Sequence, residues 1–572
     1  ESFSPVFKPN KGNIVNLGTI KANNGITLIG DTIDIRGGKI ENTAGGTNKN
    51  NSIYFVGENI YIDADATSLS SNNNVYATAF SEGYIQRQMK NFQKDNFQFG
   101  NFNNLITNEK YDYQTQGNLQ GSSNNFKKAI TLGNMGDSKA NVAEWSYFAD
   151  FINGVKTGST KPSDIDQYRL VGDIDFGGIN YADYNGSSLI VGKDSTNAFT
   201  SSFNGNGYKL SNIDIEMTQY QGYIGVFGNA KNATISNLGV ENIDIDLKTQ
   251  SNTTYKARSL LGYGSDVKIS DIFVKNVSVQ VSSANNHISQ DMIGGFIGEI
   301  TAANTNFNLV ENVTLEGLNI EVSQASKLTR LWLGGFFGNS KNVNVSNVAI
   351  NDVKNIKANT NTLGGVVSPN SSASIYLGGF TGLAQNNQFE NISITNIVAI
   401  EGEGMALQNM HIGGFAGWGY AIGANNIELK NIQNIAGVMQ GQLMSNMGNN
   451  YGLYVGGFGG IINNQSNLSN ISLDNVKEIS SKNTLTVSSG LGANDSRKTR
   501  LGGFAGYLEN NKVIENISIN QIDSIIDLTT SYSYVGGFGG EIKENKMNSI
   551  SFNSIGEVKG TEYVGGFAGN IT

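Results

Sequence analysis

Four pairs of carboxylates, each pair two residues apart, could carry out acid–base chemistry or bind a cation in this 572-residue chain. They are Asp164 and Asp166, Asp173 and Asp175, Asp214 and Glu216, and Asp244 and Asp246. Residues two apart on a strand share a face, so each pair could act jointly, as a glycoside-cleaving enzyme or a calcium site requires. Alternating carboxylates are also the ordinary pattern of a strand with one face in water. We predict no catalytic residue and no cofactor, with calcium at one pair as the open alternative.

Other catalytic chemistry lacks its residues. The chain has no cysteine and two histidines, His287 and His411, so zinc–thiolate sites, HExxH motifs and Ser-His-Asp triads are disfavoured. A phosphate-binding loop requires a helix directly after its glycines, and the glycine-rich motifs of this chain are not followed by helical patterns. The sequence therefore predicts a protein that is not an enzyme.

The composition indicates an ordered, acidic protein. There are 71 glycines but only 4 prolines, 38% of residues are hydrophobic and 15% are charged, and the net charge is −9. Such a charge gives no general attraction for nucleic acid. No run of 18 apolar residues and no signal peptide is visible, and the chain begins at Glu1, so we expect a processed piece of a longer protein.

A pentapeptide, GGFxG, recurs through the second half of the chain and is always preceded by an aliphatic residue, as in IGGFIG at 293–298 and LGGFTG at 377–382. Its aromatic residue recurs at intervals of 29–46 residues, as expected of a solenoid with variable insertions. The phenylalanines are Phe227, Phe296, Phe336, Phe380, Phe415, Phe458, Phe504, Phe538 and Phe567, with Tyr263 in a degenerate copy. We interpret them as a packing ladder and not as a row that stacks sugars or bases.

The second half of each unit alternates short apolar runs with asparagine, as in NQFENISITNIVAI from Asn387. Alternation over three to five residues predicts short strands, and asparagine tolerates the left-handed backbone of sharp corners. The predicted fold is all-β, a right-handed parallel β-helix with internal aliphatic and asparagine ladders, irregular insertions and one short amphipathic helix. Whether each unit winds once or twice is left open.

The Gly-Gly pair is expected to bend the strand so that the aliphatic residue and the phenylalanine both face inward, through conformations that only glycine reaches at low cost. Asn-x-Ser sequons such as Asn391-Ile392-Ser393 are interpreted as part of the ladder.

Variable insertions mostly fall between the last short strand and the next GGF, for example at 248–259, 281–291, 355–375, 437–453 and 481–500. In a solenoid, equivalent insertions project from one face, which is often the binding face. Several end in basic residues, which we predict as possible ligand contacts, with protection of strand edges as the alternative. These residues are Lys256, Arg258, Lys327, Arg330, Arg497, Lys498 and Arg500.

The predicted organisation has four parts: β-helix coils at 1–82, an irregular connector at 83–140 that is partly helical near 83–93, a helix with entry coils at 141–220, and the GGFxG coils at 221–572. Residues 1–82 show short strands separated by Asn-Gly and Gly-Gly turns. The helix is predicted from the spacing of Val142, Trp145, Phe148, Ala149 and Ile152, beginning at Asn141 and closing at Gly154.

Several motifs, in order, resemble the GLUG-type repeat regions of bacterial surface proteins. They are EWSYFADFINGV (144–155), YRLVGDIDFGG (168–178), FNGNGYKLSNIDI (203–215), YIGVFG (223–228) and ISNLGVENIDI (235–245). Residues 11–65 resemble the haemagglutinin repeats of filamentous-haemagglutinin-type adhesins. The resemblance implies an extracellular β-helical passenger or fibre, exported by type V secretion through an outer-membrane transporter of a Gram-negative bacterium. The metallopeptidase activity of some relatives is not implied, because HExxH is absent.

We therefore predict a non-catalytic surface adhesin that displays loops to a host or bacterial cell-surface ligand, such as a glycan, and that does not bind nucleic acid. Two alternatives stay open. One is a self-associating module of a surface layer, filament or biofilm matrix, and the other is a β-helical polysaccharide-degrading enzyme.

Overall fold

The computed structural model describes residues 12–36, 38–43, 51–63, 69–71, 75–89, 105–106, 109–112, 117–120, 126–155, 165–217, 222–249, 256–257, 259–283, 290–302, 307–324, 330–360, 366–367, 373–405, 409–443, 452–487, 498–530 and 532–572. The described chain forms long stacks of parallel strands and one helix, which confirms the predicted parallel β-helix. It divides into two compact units. The first contains Glu1–Asn134, Lys156–Gly172 and Ser201–Asn204, and the second contains Met135–Val155, Asp173–Thr200 and Gly205–Thr572.

The first unit stacks short strands in parallel. Its strands are Asn13–Val15, Thr19–Ala22, Ile26–Asp34, Lys39–Asn42, Ile53–Asp63, Leu69–Ser71, Val75–Gln88, Leu105–Ile106, Glu109–Asp112, Gly117–Gln120, Phe126–Leu132, Gln167–Leu170 and Ser202–Asn204. Glu109–Asp112 and Gly117–Gln120 pair with each other antiparallel. Ile26, Ile53 and Val75 lie in register on successive strands and are buried, so the core of this unit is an aliphatic ladder.

The strand Val75–Gln88 continues through the boundary expected at residue 82, since Asp63 pairs with Gln86. The helix predicted near 83–93 is therefore wrong for residues 83–88, which are in a strand. Residues 90–104 of the expected connector lie outside the described residues.

One α-helix, Ser138–Ile152, opens the second unit. Its N-cap is Asp137, whose carboxylate accepts a hydrogen bond of 2.8 Å from the Ala140 amide, and not Asn141 as predicted. The helix thus begins one turn earlier, because an acceptor was already available there. Gly154 follows the helix with a φ of 67°, in the left-handed conformation expected of a closing glycine. The predicted apolar face is buried throughout: Val142, Trp145, Phe148, Ala149 and Ile152.

The rest of the second unit begins with Ile174–Asp175 and Lys209–Met217 and then repeats three kinds of strand. The lead strands and the following strands each form a ten-stranded parallel sheet, and the long strands pair in parallel from one repeat to the next. The lead strands, which in the complete GGF copies end at the first glycine of the pair, are Tyr223–Ile224, Lys256–Ala257, Gln290–Gly294, Arg330–Gly334, Ser374–Gly378, Asn409–Gly413, Gly452–Gly456, Lys498–Gly502, Ser533–Gly536 and Tyr563–Gly565. The following strands are Phe227–Lys231, Leu261–Ser265, Ile297–Thr301, Phe337–Lys341, Thr381–Gln385, Ala416–Tyr420, Gly459–Asn463, Ala505–Glu509, Gly539–Lys543 and Ala568–Ile571. The long strands are Thr234–Thr249, Lys268–Ser283, Asn308–Gln324, Val343–Thr360, Gln388–Met405, Gly423–Gln440 and Asn467–Asn483, succeeded by the shorter pieces Val513–Ile519, Ile522–Asp527, Met547–Phe552 and Ile555–Lys559.

Each repeat unit winds once. Gly294 pairs with Gly334 and Gly334 with Gly378, which are the same position of three successive units. The long strands pair unit to unit in the same way, so one coil contains one lead, one following and one long strand. This settles the number of coils per repeat, which the sequence left open.

The chain bends between the lead and the following strand, at the second glycine and the phenylalanine. Ile293 and Phe296 are both fully buried, so the predicted bend is confirmed. The predicted reason is wrong, because Gly294 and Gly295 are not in the left-handed region. A Cβ on Gly295 would lie 2.1 Å from the carbonyl oxygen of Gly335, so glycine is required by the close approach of neighbouring coils. The phenylalanines stack with parallel rings about one coil apart, as in Phe380 and Phe415, whose centroids are 4.9 Å apart.

Asparagines occupy left-handed positions that bend the long strands, as predicted. In Val343–Thr360 these positions are Asn347 (φ 55°) and Asp352 (φ 59°). The side chains form ladders: Asn391 Nδ2 donates to Asn347 Oδ1 (3.1 Å), and Asn426 Nδ2 donates to Asn391 Oδ1 (2.7 Å). This ladder lies at the exposed corner and not inside the coil, because the amides need one partner along the stack and water can supply the rest.

Candidate functional site

The seven basic residues predicted as ligand contacts do not form one cluster in the described structure. Three of the seven lie outside the described residues: Arg258, Lys327 and Arg497. Lys256 is in a lead strand, but its side chain is not described. Arg330 is exposed at the start of its lead strand. Lys498 is half-buried, with its Nζ 5.4 Å from the ring centroid of Tyr534.

Arg500 does not present its charge to solvent. Its side chain is 13% exposed, and its Nε forms an ion pair with Glu541, which is 12% exposed. The guanidinium also lies 4.9 Å from the ring centroid of Tyr454 and 5.3 Å from that of Tyr507. Its charge is therefore already paired within the fold, so Arg500 is not part of a loop surface.

These contacts belong to an aromatic column that the sequence analysis missed. It consists of the residue two positions before the first glycine of each GGF copy, in register on successive lead strands: Met292, Trp332, Tyr376, His411, Tyr454, Arg500, Tyr534 and Tyr563. The recurrence of a large side chain at this one position was the available signal. Trp332 and Tyr376 stack at 6.0 Å between ring centroids, and Trp332, Tyr376 and His411 are less than 9% exposed. The rings cover one another, so they serve packing more than stacking on a ligand.

His411 lies inside this column, with its ring edge-on to Tyr376 (4.9 Å) and Tyr454 (4.8 Å). Burial, and secondarily the charge of Arg500, lowers the pKa of His411 to about 3. The imidazole is therefore neutral at ordinary pH and is not available as a physiological proton switch.

The first carboxylate pairs hold the backbone. Asp173 accepts a hydrogen bond from the amide of Lys209 (2.9 Å), and Asp175 accepts one from the amide of Gly177 (2.8 Å). Asp166 accepts one from the amide of Lys128 (2.7 Å), while Asp164 lies outside the described residues. These carboxylates therefore act as hydrogen-bond caps of the backbone.

The other two pairs meet on neighbouring strands. Asp214 is in register with Asp244, and Glu216 with Asp246. Burial raises the pKa of Asp214, and the three neighbouring carboxylates raise it further. Lys248 Nζ lies 2.5 Å from Asp246 Oδ2. Within the described part of the chain, no group of three or more acidic or histidine side chains is arranged to hold a metal ion.

In the order of strands, the insertions all fall between a long strand and the next lead strand. Each long strand runs further than predicted, because Thr360 still pairs with Gly404 and Ser283 with Gln324. Three insertions contribute short strands that pair in parallel with one another: Val366–Val367, Gln442–Leu443 and Thr486–Val487. Insertions from different coils are thus held side by side.

A groove of about 410 Å³ lies on the outer face of the long strands and extends across four successive coils. Its polar lining includes the second left-handed bend of each long strand, which we name the bend column: Asp352, Asn396, Asn431 and Asn475. Beside these residues lies the bulge column: Lys354, Val398, Gln433 and Lys477. The aliphatic residues between the two columns, such as Val353 and Ile432, face the core and are buried.

Part of the chain is similar to a known protein. No protein-family model and no solved structure matches the chain. A stretch of 141 residues is 31% identical to part of halomucin from Haloquadratum walsbyi. That stretch is 24% of this chain and 1% of halomucin, so the chain spans only a small part of that protein. Among the described residues, no helix is long and apolar enough to cross a membrane.

Proposed function

We propose that the chain is a non-catalytic extracellular surface protein in which stacked β-helix coils hold insertions in place for contact with a cell-surface ligand. The observation that carries this proposal is the small parallel sheet of Val366–Val367, Gln442–Leu443 and Thr486–Val487. Insertions that pair with one another lie on one side of the stack. A set of loops ordered in this way can form one contact surface.

The partial similarity to halomucin, a large surface protein, supports the placement of this chain on a cell surface. It gives no support for a particular cell envelope. Placement on the outer membrane of a Gram-negative bacterium, and export by a type V route, rest on the resemblance to adhesin repeats. The absence of cysteine fits such export, because disulfides would obstruct passage of the unfolded chain.

A lack of catalysis is supported by the roles of the carboxylates. Asp173 and Asp175 accept backbone hydrogen bonds that fix turns. Asp214, Glu216, Asp244 and Asp246 lie on the outer face of adjacent strands, and Lys248 pairs with Asp246. None of these pairs lines the groove of the long sheet.

The test is binding of the chain to cells and to a glycan array after segments 361–372, 444–451 and 488–497 are each replaced by a Gly-Ser linker of equal length. At least one replacement should reduce binding tenfold or more without changing the thermal midpoint. A matched control replaces Gly205-Asn206-Gly207, a turn away from the insertions, with Gly-Gly-Gly. Unchanged binding in all three variants would overturn the proposal, and concentration-dependent association lost in the same variants would favour a self-associating module.

A further inference from the structure

We propose that the groove between the bend column and the bulge column binds an extended glycan chain that lies along the stacking direction. This inference stands independently of the insertions, because the groove residues belong to the long strands themselves. Its volume, about 410 Å³, falls within the range of small-molecule sites. The four coils are separated by three spacings of about 4.8 Å, so each column is about 14 Å long.

The groove exists because the long strands gain one residue. Leu318 pairs with Val353 but Asn319 pairs with Asn355, so Lys354 has no counterpart in the preceding coil. The extra residue is kept afterwards: Val353 pairs with Ile397 and Asn355 with Ala399, and the next two coils maintain this register. A bulge that recurs in register through successive coils is a stable feature of the fold, and bulges are over-represented beside functional sites.

The three asparagines of the bend column supply amides with spare hydrogen-bonding capacity. Asn396 Nδ2 donates to Asp352 Oδ1 (2.9 Å), and Asn431 Nδ2 donates to Asn396 Oδ1 (3.0 Å). Asn475 Nδ2 in turn donates to Asn431 Oδ1 (2.8 Å). An asparagine amide has two N–H donors and two acceptor lone pairs, so Asn396 and Asn431 each retain one donor and one acceptor. Sugar hydroxyls, which both donate and accept, match such a row.

The bulge column has a lysine at each end and one apolar side chain, Val398, between them. Val398 is 44% exposed although it lies in the groove, and it offers a surface for the C–H face of a sugar ring. Gln433, next to it in the column, is exposed and adds another amide. This mixture favours a polyhydroxylated chain over a purely apolar ligand.

Lys354 offers a cation to an acidic sugar at one end of the groove, beside the carboxylate of Asp352, which already accepts a hydrogen bond from Asn396 (2.9 Å). Lys477 Nζ lies 3.0 Å from Asp523 Oδ2 and is already paired. Lys354 is exposed and forms no ion pair within the described part of the chain. A carboxylate or sulfate on the glycan would therefore be bound at the Lys354 end.

The experiment measures binding of the full chain to a uronic-acid hexasaccharide and to a neutral β-linked glucan hexasaccharide by isothermal titration calorimetry. Gln433→Ala should weaken binding of both about 3- to 10-fold, the loss expected for one or two hydrogen bonds. Lys354→Ala should weaken binding of the acidic sugar alone and reduce its salt dependence. Glu390→Gln, an exposed change on the same strand as Val398, is the control and should change neither.

The proposal would be overturned if the parent chain bound neither hexasaccharide. It would also be overturned if Gln433→Ala bound both hexasaccharides with the same affinity as the parent chain. Equally tight binding of a polyaspartate peptide, lost in the same variants, would overturn the assignment of a glycan. Thermal melts of each variant exclude unfolding as the cause. Since the insertions are unchanged in these variants, the result is separate from that of the insertion replacements.

Discussion

The guanidinium of Arg500 lies 4.9 Å from the ring centroid of Tyr454, one coil earlier in the aromatic column. Arg500 occupies a position that carries an aromatic ring or methionine in the other complete copies of the repeat. The planar guanidinium of arginine stacks on aromatic rings better than the ammonium group of lysine does. The column thus continues through a charged residue because Glu541 pairs with that charge.

Arg500→Ala should lower the free energy of unfolding by about 2–4 kcal/mol, since it leaves the largely buried Glu541 without its cation. The double variant Arg500→Met, Glu541→Gln should recover at least half of this loss. Urea unfolding measures both values. A single-variant loss under 0.5 kcal/mol would contradict the account of this pair.

His411 should make the protein less stable in acid. Its pKa is about 3 in the folded chain and 6.5 ordinarily, so below pH 6.5 the unfolded chain takes up a proton that the folded chain does not. The His411 contribution is complete above pH 6.5 and falls by up to about 1.4 kcal/mol per pH unit toward pH 3. Between pH 7 and pH 4, His411→Tyr should lose up to about 3 kcal/mol less stability than the parent chain. Parallel pH profiles of the two proteins would contradict this assignment.

The glycines of the GGF bend should tolerate no side chain where coils stack on both sides. A Cβ at Gly379 would lie 2.0 Å from the carbonyl oxygen of Gly414, so Gly379→Ala should cost about 3 kcal/mol. Gly566 has the same repeat position, and in the 572-residue chain no heavy atom lies within 4 Å of the place its Cβ would take. Gly566→Ala should therefore change the melting midpoint little, and equal effects of the two changes would show that close approach is not the reason for glycine.

Asn391 tests the left-handed corners. Its φ is 55°, and it both donates to Asn347 and accepts from Asn426. Asn391→Gly removes the ladder contacts but keeps a residue suited to this backbone, whereas Asn391→Ala adds strain of about 1 kcal/mol. The alanine variant should thus be the less stable of the two in thermal unfolding. The opposite order would contradict the importance of the left-handed backbone.

The sequence predicted the solenoid because the GGFxG spacing and the short alternating strands are both visible in the chain. It could not decide the number of coils per repeat, since one or two windings bury the same alternating residues. The helix start was misplaced because Asp137 and Asn141 are both good N-caps and only the structure shows which one is used. The aromatic column was detectable, since Trp332, Tyr376 and His411 precede the same motif.

The groove could not be predicted. It depends on one extra residue, Lys354, in units whose lengths already vary, and a single insertion has no compositional signature. The strand pairings reveal it, because Leu318 pairs with Val353 and Asn319 with Asn355, which leaves Lys354 without a counterpart in the preceding coil.

The most direct test of the proposed function is the affinity of the chain for its target cells when segments 361–372, 444–451 and 488–497 are all replaced by Gly-Ser linkers at once. Our account predicts that cell binding falls at least tenfold while the melting midpoint and the calorimetric response to the hexasaccharides stay unchanged. Cell binding equal to that of the parent chain would contradict it.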